Sequence, residues 1–207
     1  MKNRSKDLLI IFTRNPELGK CKTRLAATVG NQTALNIYNF LLGHTVSITQ
    51  KLNVTKVVYY SEEIWEDDVW NTKDFTKKLQ KGIDLGERMT HAFEDGFKTG
   101  FDKICIIGSD MYDLSQEDIE NAFSKLDNHD FVIGPADDGG YYLLGMKRLL
   151  KELFRDKAWG TGNVLKHTLE NLEDKDYTML DTRNDVDLYE DIEDIEAFQP
   201  FLKHLKK

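Results

Sequence analysis

Residues 7–29 read DLLIIFTRNPELGKCKTRLAATV and join a strand, a loop and a helix. Asp7 to Thr13 is a short apolar run of the kind expected for a strand buried on both faces. A loop containing Gly19 follows it, and Lys22 to Val29 is predicted to be a helix that ends at Gly30. A buried strand followed closely by a helix is the repeating unit of a mainly parallel sheet.

The same alternation continues along the chain. Further strands are predicted at residues 54–61, 103–108, 131–134, 141–146 and 177–180. Further helices are predicted from an N-cap at Asn31, at 85–97, from a Ser115–Asp118 capping box to Leu126, at 162–172, and from Asp185 until Pro200 interrupts the pattern. Residues 62–80 are predicted to be a loop, and a packed excursion around Trp65 and Trp70 is preferred to a mobile lid. The pattern predicts an α/β fold with helices on both faces of a mainly parallel sheet, a three-layer α/β/α arrangement.

Composition limits the class of protein. The chain has 207 residues, 31% of them charged, and a formal net charge of −8. This length predicts a single domain spanning residues 1–207, and the acidic balance argues against general nucleic-acid binding. No apolar run is long enough for a membrane span, and no signal-peptide pattern precedes the first strand, which favours a cytoplasmic protein. Cys21 and Cys105 lack partners at metal-ligand spacing and are expected to be reduced thiols.

The loop after the first strand concentrates positive charge. Arg14, Lys20, Lys22 and Arg24 lie within eleven residues, beside Gly19. In mainly parallel sheets ligands bind beyond the carboxyl ends of strands, and arginine can bind a phosphate through two hydrogen bonds. The loop is therefore a candidate phosphate site, with an ordinary solvated turn as the alternative.

Acidic residues follow another predicted strand. Asp110 comes directly after residues 103–108 and is placed to hold Mg²⁺ together with phosphate oxygens, although a capping role for Asp110 stays open. Asp113 is assigned to capping. Asp187 is the candidate for a second metal ligand, while the alternative is that Asp185 and Asp187 interact with the positive end of a helix dipole.

Two more segments are candidate ligand contacts. Residues 134–142 read GPADDGGYY, in which Asp138 could accept a proton from an acceptor hydroxyl while Asp137, Gly139 and Gly140 contact that acceptor. A simple Asp-Gly hairpin turn explains part of this string equally well. Gly86 and Arg88 open a predicted helix, and Arg88 is either a nucleotide contact or a surface arginine.

Six strings in order resemble a bacterial glycosyltransferase-like family formerly of unknown function, whose members are called selenodomain-associated or arsenosugar-biosynthesis-type transferases. They are FTRNPELGKCKTRLA at 12–26, GIDLGERM at 82–89, IGSDMYDLS at 107–115, GPADDGGYYLLG at 134–145, WGT at 159–161 and DVDLYEDI at 185–192. The resemblance implies a GT-A-type, Rossmann-like nucleotide-diphosphosugar transferase fold. It also implies that Gly19, Lys22 and Arg24 meet nucleotide phosphates and that Asp110 binds a divalent metal. Tyr112, Gly160 and Leu188 depart from the family pattern without removing a charged group.

Residues and resemblance together predict a transferase dependent on Mg²⁺ or Mn²⁺ that moves a sugar from a nucleotide-activated donor to a small-molecule acceptor. Arg14, Lys22 and Arg24 would hold the diphosphate, and Gly86 and Arg88 would complete the nucleotide site. The first alternative is a nucleotidyltransferase that uses a nucleoside triphosphate and releases pyrophosphate, like the enzymes that make molybdenum-cofactor dinucleotides or coenzyme F420 precursors. The second is a nucleotide-binding or partner-binding module without turnover.

Overall fold

The sheet has seven strands in the order β3-β2-β1-β4-β6-β5-β7 in the computed structural model, which describes residues 6–205. The strands are β1 (Asp7–Thr13), β2 (Thr55–Tyr60), β3 (Thr76–Leu79), β4 (Lys103–Gly108), β5 (Phe131–Pro135), β6 (Tyr141–Met146) and β7 (Tyr177–Met179). The α-helices are α1 (Thr23–Val29), α2 (Asn31–Thr49), α3 (Leu85–Lys98), α4 (Gln116–Asn128), α5 (Val164–Leu172) and α6 (Gln199–Leu202). Short 3₁₀ helices lie at Lys151–Phe154, Glu196–Phe198 and Lys203–Leu205.

Strand direction determines which loops meet. β1 is parallel to both β2 and β4, and β5 is parallel to β7. β6 is antiparallel to β4 and to β5, so β5 runs in the same direction as β1 and β4. The carboxyl ends of β1, β4 and β5 therefore lie at one edge of the sheet, where the three candidate loops begin.

Helices cover both faces of the sheet, because successive strand residues point to opposite sides. Leu9 and Ile11 of β1 pack in one buried cluster with side chains of α2 and α4. Leu8 and Ile10 pack in a second cluster with side chains of α3 and α5. The predicted three-layer α/β/α arrangement is confirmed.

β3 corrects the prediction of a loop over residues 62–80. Its sequence, TKKL, has no fully buried side chain, because it is the edge strand beside β2. A strand without an apolar face gives no alternating pattern to detect. Trp70 is 1% exposed and packs in the core, so the packed interpretation of this region is confirmed.

The C-terminal segment corrects a second prediction, because no helix begins at Asp185. The Asp191 carboxylate accepts hydrogen bonds from the backbone N–H groups of Asp187 and Leu188 at 2.8 and 2.6 Å. These bonds fold the chain into turns, as aspartate side chains commonly do. Helix α6 begins only at Gln199, and Pro200 lies in its first turn instead of ending a helix.

The starts of α2 and α4 lie at or next to the predicted capping residues. α2 begins at Asn31 itself, with Gly30 at the N-cap position, one residue earlier than predicted. The capping box of Ser115 and Asp118 is confirmed at the start of α4. None of the helices within residues 6–205 is both long enough and apolar enough to cross a membrane.

Candidate active site

Three segments that are distant in sequence bring opposite charges together at the carboxyl edge of the sheet. The Lys22 ammonium donates hydrogen bonds to Asp110 Oδ2 at 2.7 Å and to Asp187 Oδ1 at 3.2 Å. Arg24 Nη1 donates to Asp187 Oδ2 at 3.0 Å. Asp187 reaches this point because the chain after β7 runs parallel to β5, with a bridge between Ala136 and Arg183. The assignment of Asp187 to a helix N-terminus is therefore wrong, and Asp187 lies instead between two cations.

The backbone of the first loop is shaped for this contact. Gly19 has φ of +76°, and Lys22, the N-cap residue of α1, has φ of 48° and ψ of 46°. A left-handed conformation is unfavourable for a lysine and persists only where its surroundings hold it. The Lys22 side chain is 4% exposed, so its two carboxylate partners provide that support.

Tyr38 also supports the first loop, and sequence reasoning missed this role. Its hydroxyl accepts a hydrogen bond from Arg14 N at 3.0 Å and donates one to Arg14 O at 3.2 Å. It also pairs with Ser109 Oγ, the residue before Asp110, at 3.3 Å. Tyr38 thus ties the first loop to the second, although its spacing on α2 indicates only a core residue.

The electrostatics of the cluster follow from these contacts. Burial raises the pKa of Asp110, but the Lys22 ammonium and then Arg14 outweigh it, and the pKa lies below its ordinary value. Burial lowers the pKa of Lys22, but Asp110 and Asp187 outweigh it, so Lys22 stays charged. Burial, followed by the neighbouring Asp187 and Asp138 carboxylates, raises the pKa of Asp185 to about 6. The charges of Lys22 and of the carboxylates that it contacts therefore stabilise each other.

A cleft of about 640 Å³ opens over this cluster. Six of the predicted site residues line it: Arg14, Lys22, Arg24, Arg88, Asp110 and Asp187. Ser61, Glu62 and Gln80 also line it and supply polar groups. Arg88 donates hydrogen bonds to Gln80 Oε1 at 3.3 Å and to the Gly82 carbonyl at 3.2 Å. The cleft therefore combines arginine and lysine side chains with hydrogen-bonding groups suited to a polar ring.

Gly19 and Gly86, two glycines predicted to contact phosphate, are not among the residues that line the cleft. Gly19 is exposed beside Asn31, whose amide would be 3.6 Å from a Cβ at this position. Gly86 is buried under a different loop, because a Cβ there would lie 2.3 Å from the Phe154 carbonyl oxygen and 2.9 Å from Trp159 Nε1. Gly86 thus permits close packing of Trp159 against the start of α3.

The Asp137–Gly140 loop forms the turn between β5 and β6. Asp138 Oδ1 accepts a hydrogen bond from Gly140 N at 2.7 Å. This carboxylate oxygen therefore stabilises the turn, as the interpretation of an Asp-Gly hairpin predicts. Gly139 has φ of +84°, and a Cβ there would lie 2.3 Å from the Gly162 carbonyl oxygen. Asp138 and Gly140 line a second cavity of about 230 Å³, which adjoins the cleft at Phe12 and Leu85. Asp137 is exposed, and its N–H donates to the Arg183 carbonyl at 3.1 Å.

The donor set fits a divalent cation only in part. Within residues 6–205 no group of three or more histidine, cysteine, aspartate and glutamate side chains is arranged for a metal ion. Asp110 and Asp187, however, converge on one cationic atom, Lys22 Nζ. Mg²⁺ usually takes one or two carboxylates and completes its coordination with water and substrate phosphates. The two carboxylates therefore suit a cation that arrives with a phosphate ligand.

Residues 45–161 match the family described as an uncharacterized protein conserved in bacteria (DUF2064). The chain belongs to this family. No curated protein matches the chain in sequence.

Solved structures share the whole fold. A protein provisionally assigned as a nucleotide-diphospho-sugar transferase, from Desulfovibrio desulfuricans G20, is 28% identical with a TM-score of 0.88, over 98% of this chain and 96% of that one. A cytidylyltransferase from Leptospira borgpetersenii is 16% identical with a TM-score of 0.62, over 98% and 94%. The 4-diphosphocytidyl-2C-methyl-D-erythritol synthase from Anaerococcus prevotii is 8% identical with a TM-score of 0.58, over 99% of each chain. These likenesses confirm the predicted fold class, and the likeness to the Desulfovibrio protein supports the prediction of a nucleotide-utilising transferase.

Proposed function

We propose that this protein is a Mg²⁺- or Mn²⁺-dependent transferase that moves a sugar from a nucleoside diphosphate to the hydroxyl group of a small acceptor. The observation that carries the proposal is the convergence of Lys22 with Asp110 and Asp187 in a cleft also lined by Arg14 and Arg24. The whole-length likeness to the Desulfovibrio protein supports the choice of donor class.

The cationic side chains would bind the diphosphate. Arg14 and Arg24 are exposed on the cleft, where each guanidinium can meet phosphate oxygens with paired hydrogen bonds. Lys22 would exchange a carboxylate partner for a phosphate oxygen, which keeps its ammonium group paired with a negative charge. Gln80 and Arg88, which also line the cleft, would contact the nucleotide base.

Asp110 and Asp187 are the residues that would hold the divalent cation. When bound, such a cation neutralises the charge that develops on the departing nucleoside diphosphate. Lys22, Arg14 and Arg24 would stabilise the same charge from the side of the first loop.

Asp138 would orient and deprotonate the acceptor. Its Oδ1 accepts a hydrogen bond from Gly140 N, and Asp138 lines the smaller cavity beside the cleft. The acceptor oxygen would form a bond to the anomeric carbon as the bond from that carbon to the diphosphate oxygen breaks. The hydroxyl proton would pass to the Asp138 carboxylate.

Nucleotidyl transfer is the second candidate, because a cytidylyltransferase and a 4-diphosphocytidyl-2C-methyl-D-erythritol synthase share the fold. The two reactions are distinguished by their products. Sugar transfer converts a nucleotide sugar to a nucleoside diphosphate, whereas nucleotidyl transfer converts a triphosphate to pyrophosphate.

The test is a binding and turnover panel with nucleotide sugars and nucleoside triphosphates, each in Mg²⁺, Mn²⁺ or EDTA. Tight binding of a nucleotide sugar that EDTA abolishes, with release of the diphosphate, is expected. Pyrophosphate release from a triphosphate would favour the second candidate instead. Binding of neither class would overturn both.

A further inference from the structure

The smaller cavity is lined almost wholly by apolar side chains. Its volume is about 230 Å³. Its apolar walls come from Phe12, Leu85, Met89, Tyr141, Trp159 and Val164. Trp159 and Thr161 belong to the WGT string at 159–161, to which the proposed transfer chemistry assigns no role.

The Trp159 wall is held in place by two close backbone approaches. Trp159 packs against Gly86, where any Cβ would collide with Phe154 and the indole. Gly162 lies against Gly139, and Leu165 N donates to the Gly139 carbonyl at 2.9 Å. The loop that carries Trp159 is therefore joined both to α3 and to the Asp138 turn, so the cavity and Asp138 form one unit.

Tyr141 places a hydrogen-bond donor in this apolar surrounding. Its hydroxyl donates to Met89 Sδ at 3.8 Å, and a thioether is a weak acceptor. Burial raises the pKa of Tyr141, which keeps the hydroxyl protonated. An oxygen atom on a bound molecule would be a better acceptor than the sulfur.

The charge of the cavity disfavours anionic molecules. Among the residues that the structure describes, no lysine or arginine lines it, and Asp138 gives it a carboxylate. A phosphorylated or carboxylated acceptor would bring its charge next to Asp138 without a compensating cation. The cavity therefore suits a neutral molecule and does not suit the phosphorylated partner of a nucleotidyltransferase.

We propose that this cavity is the acceptor site and that the acceptor is a neutral, ring-sized apolar alcohol or phenol, with its hydroxyl at Asp138 and its ring against Trp159. An apolar cavity of about 150 Å³ can hold a benzene molecule, so a cavity of this volume can take a substituted ring. The acceptor role rests on the proposed transferase function, whereas the preference of the cavity for this chemical class does not.

Ligand-observed NMR with benzyl alcohol tests the preference, with benzyl phosphate and glycerol as the anionic and polar comparators. Benzyl alcohol is expected to bind about tenfold or more tightly than either comparator, because only it matches both the apolar walls and the charge. Equal or tighter binding of glycerol or benzyl phosphate would overturn the proposal.

Variants locate the binding. Trp159→Ala should weaken benzyl alcohol binding about tenfold by removing the aromatic wall, and Thr161→Phe, at an exposed position, should block the cavity. Trp65→Ala removes an indole outside the cavity and is the matched control, with no change expected. If Trp159→Ala and Thr161→Phe, checked for folding by thermal unfolding, bind benzyl alcohol like the original protein, the proposal is wrong.

A parallel titration with nucleotide sugars separates the two proposals. Nucleotide-sugar binding without benzyl alcohol binding would retain the transferase proposal and overturn the acceptor class. Benzyl alcohol binding that depends on Trp159, without binding of any nucleotide, would overturn the transferase proposal and retain the chemical preference of the cavity. If both bind, diphosphate release should increase when benzyl alcohol is added.

Discussion

Lys22 Nζ lies 2.7 Å from Asp110 Oδ2, although 88 positions separate the two residues in the chain. The same ammonium contacts Asp187, so the two carboxylates that suit a metal ion share one positive side chain of the protein. Lys22 also lines the cleft at the first loop, beside Arg14 and Arg24. Lys22 therefore contacts both carboxylates from within the cleft in which the nucleotide is proposed to bind.

Lys22→Met is expected to weaken nucleotide-sugar binding about ten- to hundredfold, because it removes a charged phosphate partner. The same change should strengthen Mn²⁺ binding in the absence of nucleotide, because Asp110 would lose its lysine partner and Asp187 would keep only Arg24. Isothermal titration measures the first effect, and Mn²⁺ electron paramagnetic resonance measures the second. Lys20→Met is the control for the metal effect, since Lys20 pairs with Glu17 at 2.6 Å. If Lys22→Met bound Mn²⁺ with unchanged affinity, the metal ion and the Lys22 ammonium would not compete for Asp110 and Asp187.

Tyr38→Phe should weaken nucleotide binding by loosening the loop at Arg14. Loss of the buried hydroxyl should also lower the free energy of unfolding by about 1–2 kcal/mol. Tyr60→Phe is the matched control, because the Tyr60 hydroxyl donates to Asp68, outside the first loop. Chemical denaturation and nucleotide titration of both variants check this. Equal nucleotide affinity in the two variants would show that Tyr38 does not position the loop.

Gly86→Ala should destabilise the protein by about 1–3 kcal/mol, because the new methyl group would overlap Phe154 and Trp159. Gly43→Ala gives the opposite expectation. Gly43 lies within α2, where a methyl group would meet no described atom of another element within 4 Å, and alanine there should stabilise by about 0.5–1 kcal/mol. Urea denaturation of both variants measures the difference. Stabilisation by Gly86→Ala would refute the close packing of Trp159.

Asp118 gives an expected pH dependence of stability. Burial raises the pKa of Asp118, but hydrogen bonds from Arg183 and Ser115 outweigh it and hold the pKa below its ordinary value. A lowered folded-state pKa stabilises the protein above the unfolded value, about 3.9, and this stabilisation is lost as pH falls through the folded value.

Asp118→Asn should therefore lower the free energy of unfolding by about 1 kcal/mol at pH 7, with a smaller difference at acid pH. Asp127→Asn, at an exposed position of the same helix, should change it by less than about 0.5 kcal/mol. Urea denaturation from pH 7 to pH 3 tests both. If the loss of unfolding free energy in Asp118→Asn did not shrink as pH falls, the ion pair between Asp118 and Arg183 would not be its cause.

Sequence patterns identify the strands at the centre of the sheet because those strands are continuous apolar runs. The predicted bounds of β1, β4 and β6 agree with the structure. β3 lacks this signal, since an edge strand with polar side chains looks like a loop. The C-terminal apolar spacing is helical, but side-chain hydrogen bonds from Asp191 favour turns, and periodicity does not detect them.

The candidate site was predictable where charge and topology agree. Arg14, Lys22, Arg24 and Asp110 follow strands whose carboxyl ends meet, so their clustering could be expected. The contribution of Trp159 was not predictable, because its position depends on contacts with Gly86 that no local pattern encodes. Tyr38 was hidden for a similar reason, since an inward-facing tyrosine on a helix looks like any core residue.

The diphosphate group of a nucleotide sugar and a divalent cation are expected to bind together at Lys22, Asp110 and Asp187. Isothermal titration of the preferred nucleotide sugar tests it, with Mn²⁺ and with EDTA, in the original protein, Asp110→Asn and the same-loop control Asp113→Asn. We expect EDTA or Asp110→Asn to weaken binding about tenfold or more, whereas Asp113→Asn should not. Nucleotide-sugar binding that is unchanged by EDTA and by Asp110→Asn would show that no divalent cation at Asp110 takes part in nucleotide binding.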